Sequence, residues 1–450
     1  MRRTAQIFAA SSLYGAASMA AAIDADLFRP ADRRILLAAN TAPVPETAPS
    51  LTELPGFERL RSLFDEVISW NEVIHPFHPG GWSTRGDDSP LWERHIRRLW
   101  NLGDDRVEIA GDTVASGPAF ALAQMFPDSP VDAIAAGLAV YGPTRAKLDP
   151  IVGTRVRRLI QPDLIPGLPS LLLSEFGVAV EPLPADRLLK ALGDVSAPKP
   201  EEPAAGSGPV LLLGQYLAAQ GLLTEEEEEE LYLRMVRGAV ELGHRELVFV
   251  PHPAAPPRWS RRLEDEAARL GAELASPARP AIAEALFTSA RPALVVGCFS
   301  TALFTAAGLY GLPVARIGTG ELLARLPAYT APQRIALTLA DTLLPDLADP
   351  AAVAGWRLPP AAEVADAVAG LRDAVAFCMQ PQLLSGLRPA AEDYLTRHLD
   401  ARTWRYFKRS RLASLALPGA VPAQLAFIPR HPTVRRMARR AKALGMGAQD

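Results

Sequence analysis
At 450 residues the chain exceeds what one hydrophobic core ordinarily fills and suits two α/β domains. Its 49% hydrophobic content excludes a largely disordered chain, and no uninterrupted apolar run of roughly eighteen residues offers a membrane-spanning helix. The net charge of −3 hides an asymmetry: residues 401–450 carry 11 Lys or Arg against one acid, leaving 36 basic and 49 acidic groups, a formal −13, in residues 1–400.

Cys298 and Cys378 alone build no disulfide framework and fit a reducing cytoplasm. The N-terminus admits two readings. Met1-Arg2-Arg3 and the alanine-rich stretch to Ala22 imitate a secretory leader, but Ser11, Ser12, Gly15 and Ser18 interrupt its apolar centre. The alternative is a strand over Thr4–Ala9, a small-residue turn and a helix to about Asp24, and it is preferred here.

Short apolar runs bounded by turn residues then recur at Ile35–Ala39, Val67–Trp70, Val107–Ala110 and Ala133–Ala136, as buried parallel strands do. Helical stretches, Phe57–Phe64, Trp92–Trp100 and Pro118–Met125, alternate with them. That alternation predicts a doubly wound parallel sheet over residues 1–195. Residues 196–208 are rich in Pro, Gly and Ser and hold no apolar side chain able to pack a core, so they read as a linker.

The alternation restarts after it and is assigned to a second α/β domain over 209–380. Val210–Leu213 is a strand ending in Gly214 and Gln215. Thr224 and Glu227 form a capping box, and Glu225–Glu230 read as the solvated start of a helix reaching Leu242. Glu246–Val250, Pro292–Val296 and Val314–Ile317 are strands; Trp259–Leu270 and Ala302–Tyr310 are helices. Residues 381–450 form a helical, basic extension. Its aromatic–basic stretch Trp404–Arg409 and its amphipathic bases Arg435, Arg436, Arg439, Arg440 and Lys442 fit an anionic membrane surface or, preferably, the acidic body of the protein itself. No Gly-x-Gly-x-x-Gly fingerprint speaks for a dinucleotide cofactor, and no nucleic-acid recognition module is evident.

Two motifs carry chemistry. Val250-Pro251-His252-Pro253 sets an imidazole, fixed by its prolines, just after a strand, where it could donate to a phosphate leaving group. Gly297-Cys298-Phe299-Ser300-Thr301 opens a helix, where free N–H groups and two hydroxyls attract an anion. Each has a bland counterpart, a turn histidine and an ordinary N-cap. Both follow strands of one predicted sheet and strengthen each other. His75 and His78 lack the accompanying Cys or acidic ligands of a metal site and read as loop residues, so no metal and no cofactor is expected.

Strand–x-Pro-His-Pro followed by strand–Phe-Ser-Thr–helix resembles bacterial sialyltransferases, and a longer series resembles the bacterial α-2,8-polysialyltransferase family. It comprises QIFAASSLYG (6–15), PFHPGGW (76–82), YGPTR (141–145), LGQYL (213–217) and GLPVAR (311–316), in that order. The resemblance runs from about residue 4 to about residue 345. It implies a GT-B glycosyltransferase fold, two Rossmann-like domains facing a cleft, and inverting transfer of sialic acid from a CMP-linked donor to a glycan. Polysaccharide biosynthesis follows from it, in the cytoplasm that the cysteine usage fits and with the basic C-terminus as the part that could meet the inner face of the membrane. His252 would assist departure of CMP. Ser300 and Thr301 would hold its phosphate, and Gly214, Gln215, Pro253 and Glu284 would border the donor. Ser12, Tyr14, Tyr141 and Arg145 would face the acceptor.

The chain departs from that pattern where family members carry an acid before a glycine. It reads Ala135-Ala136-Gly137, and alanine accepts no proton. Asp132 stands four residues earlier, inside or before the strand rather than at its exit. Val250 replaces a usual lysine. Since a general base contributes about 10²–10⁴-fold in rate, a second reading is a non-catalytic relative that binds nucleotide or glycan as an accessory protein.

Overall fold
The computed structural model describes residues 3–135, 137–145, 148–196, 208–252, 259–277 and 281–420. Runs of Ala, Val, Ile and Leu too short for helices form strands with both faces covered, which is where parallel sheets are stable. The first seven are β1 (Thr4–Ala10), β2 (Arg33–Ala38), β3 (Glu66–Ser69), β4 (Arg106–Gly111), β5 (Val131–Ile134), β6 (Val156–Pro162) and β7 (Ala179–Leu183). They pair in the order β3-β2-β1-β4-β5-β6-β7, all parallel. A second parallel sheet contains β8 (Gly208–Leu213), β9 (Glu246–Val250), β10 (Glu273–Ala275), β11 (Pro292–Gly297) and β12 (Val314–Arg316), in the order β10-β9-β8-β11-β12. In each sheet the winding reverses beside the first strand, between β1 and β4 and between β8 and β11. Such reversals open a crevice at the carboxyl ends of the strands.

The N-terminal stretch with two readings is β1, paired on both sides, followed by α1 (Leu13–Asp24), in which every residue but Asp24 is buried. Ser12 caps α1 by accepting a hydrogen bond from the Gly15 N–H. β6 and β7 carry too many charges to stand out as strands. The charges have an internal use: Arg157 and Arg158 both hold the Asp132 carboxylate, with Arg157 Nη2 2.6 Å from Oδ2, and Arg158 Nη1 also meets Glu181 at 2.7 Å. Asp132, 1% exposed, is thereby locked inside β5 and does not reach the strand's exit.

In the second half, α2 (Glu225–Glu241) starts with the expected Thr224/Glu227 capping box. Its glutamates are not uniformly solvated, and the reading of a wholly solvated run is corrected at Glu228. That side chain is fully buried and accepts the Leu217 and Ala218 backbone N–H groups, each at 2.7 Å, as well as the Tyr232 hydroxyl. The run places Glu228 on the same helical stripe as buried Leu231, Tyr232 and Met235, three, four and seven residues on.

Three further helices frame the crevice: α3 (Ala283–Ala290), α4 (Thr301–Gly308) and α5 (Arg334–Leu343). The chain then crosses back, and α6 (Gly370–Met379) packs on the first half. Arg372 of α6, 1% exposed, donates to the carbonyls of Tyr141 and Pro169. Gly167 has φ +82°, and a Cβ there would come within 2.4 Å of the Ala361 carbonyl oxygen, so only glycine permits this approach. One buried apolar cluster accordingly runs through both halves, from Ile7 and Val107 to Leu212, Leu337 and Phe377.

Of the basic extension, residues 381–420 are described. The Tyr406 hydroxyl donates to Asp341 at 2.7 Å, Arg405 pairs with the same carboxylate at 3.0 Å, and the Arg409 guanidinium lies over Trp404. This part docks on the protein's own body. Arg435, Arg436, Arg439, Arg440 and Lys442 lie outside the described residues, as do residues 197–207 of the linker predicted over 196–208, whose last residue, Gly208, opens β8.

Candidate functional site
The crevices of the two sheets face one another across a cavity of about 590 Å³. From the first half Ser12, Tyr14, Gly137 and Arg145 line it; from the second come Gly214, Gln215, His252, Glu284, Ser300 and Thr301. The His252 imidazole and the Ser300/Thr301 hydroxyl pair, 48 residues apart in sequence, therefore open on a single space.

Each reaches it for a local reason. β9 ends at Val250, and Pro251 turns the chain so that His252 stands exposed at the sheet edge. Gly214 makes room underneath, since a Cβ there would sit 3.1 Å from the Phe249 ring and 3.3 Å from the His252 backbone nitrogen. The Tyr216 ring lies 6.3 Å from the imidazole. Desolvation by the surrounding walls lowers the His252 pKa below its ordinary 6.5.

β11 ends at Gly297, and the turn that follows is held by Gln215. The Gln215 side-chain oxygen accepts the Cys298 and Phe299 backbone N–H groups at 3.1 and 2.9 Å. Ser300 caps α4 by accepting the Ala302 N–H at 3.2 Å, so the bland role expected of it is also present. Thr301 accepts the Leu138 N–H at 3.4 Å and thereby touches the first half. Gly137 permits that contact, because an added Cβ would lie 2.9 Å from Thr301 Oγ1.

Glu284, on α3, is 5% exposed, and burial lifts its carboxyl from 4.5 to about 7. Tyr14 approaches it from α1; burial first and the Glu284 charge second raise the phenol's pKa. The Thr305 side chain, which meets the Tyr14 hydroxyl, opposes that rise. Arg145 is exposed at the cavity wall and forms no ion pair with a described residue, leaving a cation available to an anionic ligand.

Tyr141 requires correction as an acceptor-facing candidate. It is fully buried, does not line the cavity, and its hydroxyl accepts the Ile165 N–H at 2.9 Å. Pro253 and the altered position Ala136 lie outside the described residues. Gln220 and Gln333, joined at 3.2 Å, also line the cavity and carried no signal in the sequence. Asp112 was missed as well. It follows β4 at the same sheet edge, and its Oδ2 accepts the Ser11 backbone N–H and hydroxyl, both at 2.7 Å. A strand-terminal acid beside a strand-terminal serine pair was the sequence signal for it. His78 accepts the Gly80 N–H at 3.1 Å within its own loop, and no group of three or more potential metal ligands gathers among the described residues.

Two doubly wound parallel sheets whose carboxyl edges share one cleft constitute a GT-B-like fold. The family model "Alpha-2,8-polysialyltransferase (POLYST)" matches residues 6–319, and the chain belongs to that family. No curated protein matches it. Among solved structures it is similar to an O-GlcNAc transferase mutant from Thermobaculum terrenum, at 16% identity over 92% of this chain and 69% of that one, with a TM-score of 0.36. It is likewise similar to MurG from Acinetobacter baumannii, at 11% identity over 87% and 95%, TM-score 0.38. UGT2 from Phytolacca americana, complexed with UDP-2-fluoro-glucose and pterostilbene, is 12% identical over 92% and 99%, TM-score 0.41.

Proposed function
We propose that this glycosyltransferase moves sialic acid from a CMP-linked donor to a glycan acceptor with inversion at the anomeric carbon. The observation that carries the reading is the convergence of His252, Ser300 and Thr301 on one cavity. In it, the phosphate of CMP lies at the start of α4, where the positive end of the helix dipole and the Ser300 and Thr301 hydroxyls meet an anion. His252 donates to the departing phosphate oxygen. Gly214 and Gln215 border the nucleotide, and Glu284 accepts from its sugar hydroxyls. Arg145 offers its cation to the donor's carboxylate, and Ser12 and Tyr14 face the acceptor.

Ala136 favours a second reading, an accessory protein that binds the nucleotide or glycan without transfer. Assembly of polysaccharide in the cytoplasm beside a membrane fits the first reading. Among the described residues no helix is long and apolar enough to cross one. Calorimetric titration with CMP tests what both readings share: saturable binding of one CMP per chain is expected, and absence of heat removes both. CMP release from CMP-sialic acid in the presence of an oligosialic acceptor then separates transfer from mere binding.

A further inference from the structure
An inverting transfer needs a group to take the acceptor's proton, and position 136 holds an alanine. The acids nearest the cleft are few. Asp132 is locked by Arg157 and Arg158 inside β5. Asp163 follows β6, which β4 and β5 separate from β1, the strand leading to Ser12 and Tyr14. Glu284 sits on the nucleotide side, on a helix of the second half.

Asp112 differs from all three. It leaves β4, the strand between β1 and β5, at the carboxyl edge that opens on the cleft. Its Oδ2 is pinned by the Ser11 N–H and hydroxyl. Its Oδ1 takes neither Ser11 bond, and the half-buried side chain stands next to Ser12, which lines the cavity. The carboxylate is also close to the acceptor wall. A Cβ on Gly15 would lie 2.9 Å from Asp112 Oδ2 and 3.1 Å from Ser12 Oγ, so those two oxygens are at most 6.0 Å apart.

We propose that Asp112 accepts the proton of the acceptor hydroxyl, in the part that an acid at position 136 would otherwise play. The proposal rests on the transfer reading above. As the acceptor O–H bond breaks, its proton passes to Asp112 Oδ1 and its electron pair forms the bond to the anomeric carbon. The anomeric C–O bond breaks with its electrons leaving on the CMP phosphate, which His252 meets with a hydrogen bond. Burial raises the Asp112 pKa above its ordinary 3.8 against the lowering effect of the Ser11 bonds, making the carboxylate a stronger base than a solvated one. Ser11 then acts as a positioning residue.

The test uses the full chain with CMP-sialic acid and an oligosialic acceptor. Asp112→Asn keeps an oxygen for both Ser11 donors, so the fold and the CMP dissociation constant are expected within about twofold of wild type. Its kcat is expected to fall about 10²–10⁴-fold, with Asp112→Glu recovering part of it. Ser11→Ala provides an independent arm: losing a donor to the carboxylate should move the acid limb of kcat/KM to higher pH. Wild-type turnover in Asp112→Asn, or an unmoved acid limb in Ser11→Ala, overturns the proposal. So does an unaltered protein that binds CMP but transfers nothing, an outcome that leaves the nucleotide-binding reading intact. Failure to bind CMP at all is the different result that removes the reading itself.

Discussion

The Gln215 side-chain oxygen accepts the backbone N–H groups of both Cys298 and Phe299, at 3.1 and 2.9 Å, and so ties the exit of β8 to the turn that carries Ser300. A residue expected to border the ligand thus has a prior task, which is to shape the loop that would grip the phosphate. Gln215→Ala leaves two N–H groups without their acceptor beside buried Cys298 and Phe299, at about 1–3 kcal/mol for an unsatisfied buried donor. The expected outcome is a lower unfolding free energy together with about tenfold weaker CMP binding. Gln215→Glu, ionised at neutral pH, can accept both bonds and should keep the stability. Denaturation curves and calorimetric titrations of the two variants decide the point, and unchanged values in the alanine variant would show the tie to be dispensable.

Glu284 makes the protein's stability depend on pH. Its folded pKa of about 7 lies above the ordinary 4.5, so the folded state holds the proton more tightly than the unfolded chain. The unfolded state ionises first, and stability falls as pH rises from about 4.5 to about 7, with the full deficit present above that. A shift of roughly 2.5 pH units corresponds to a deficit on the order of 3 kcal/mol. Glu284→Gln is therefore expected to be more stable than wild type at pH 8 and nearly equal to it at pH 4. Urea denaturation at both values is the check; a gain of the same size at pH 4 and pH 8 would trace it to packing rather than ionisation.

What the sequence disclosed and what it concealed divide along physical lines. β9, Glu246–Val250, could be read to the residue because it is apolar and bounded by charge and proline. The pair His252 and Ser300/Thr301 could be read because each follows such a strand. β6 and β7 went unseen because Arg157, Arg158 and Glu181 interrupt the apolar pattern, and their use, holding buried Asp132 and one another, is a long-range arrangement that no local period encodes. Tyr141 was misplaced since motif likeness says nothing about which way a side chain turns. Glu228 was readable in principle from its spacing to Leu231 and Met235, but six like residues in a row mask the stripe. Gln220 and Gln333 enter the cavity from segments with no pattern at all.

For His252, the lowered pKa fixes the direction of a pH effect. An imidazole that must donate to the leaving phosphate acts in its protonated form, and desolvation shifts that form to more acidic conditions. The value of kcat/KM is expected to decline as pH rises through a midpoint below 6.5, since that parameter reports the free enzyme. His252→Ala should lose this limb and about 10²–10⁴-fold in kcat while CMP affinity changes little. A pH–rate profile of the variant that keeps the wild-type limb would assign the titration to another group.

Arg372 is the buried cation that joins α6 to the first half, and its loss should be felt throughout the molecule. Its guanidinium donates to the Tyr141 and Pro169 carbonyls, while Nε stands 2.7 Å from Asp373. Burial raises the Asp373 pKa and the Arg372 charge opposes that rise. Arg372→Met therefore strips two carbonyls of a donor and leaves the half-buried carboxylate uncompensated, a loss of about 1–3 kcal/mol for polar groups left unsatisfied. Protonation relieves the stranded carboxylate, so the deficit should shrink as pH falls from 8 to 5, and adding Asp373→Asn should recover part of it at pH 8. Because α6 braces the half that carries Ser12 and Tyr14, transfer activity should drop with stability in Arg372→Met and return with the double variant. Denaturation of the three proteins at the two pH values provides the measurement. A deficit below about 1 kcal/mol at both would mean that apolar packing alone holds the crossing helix in place.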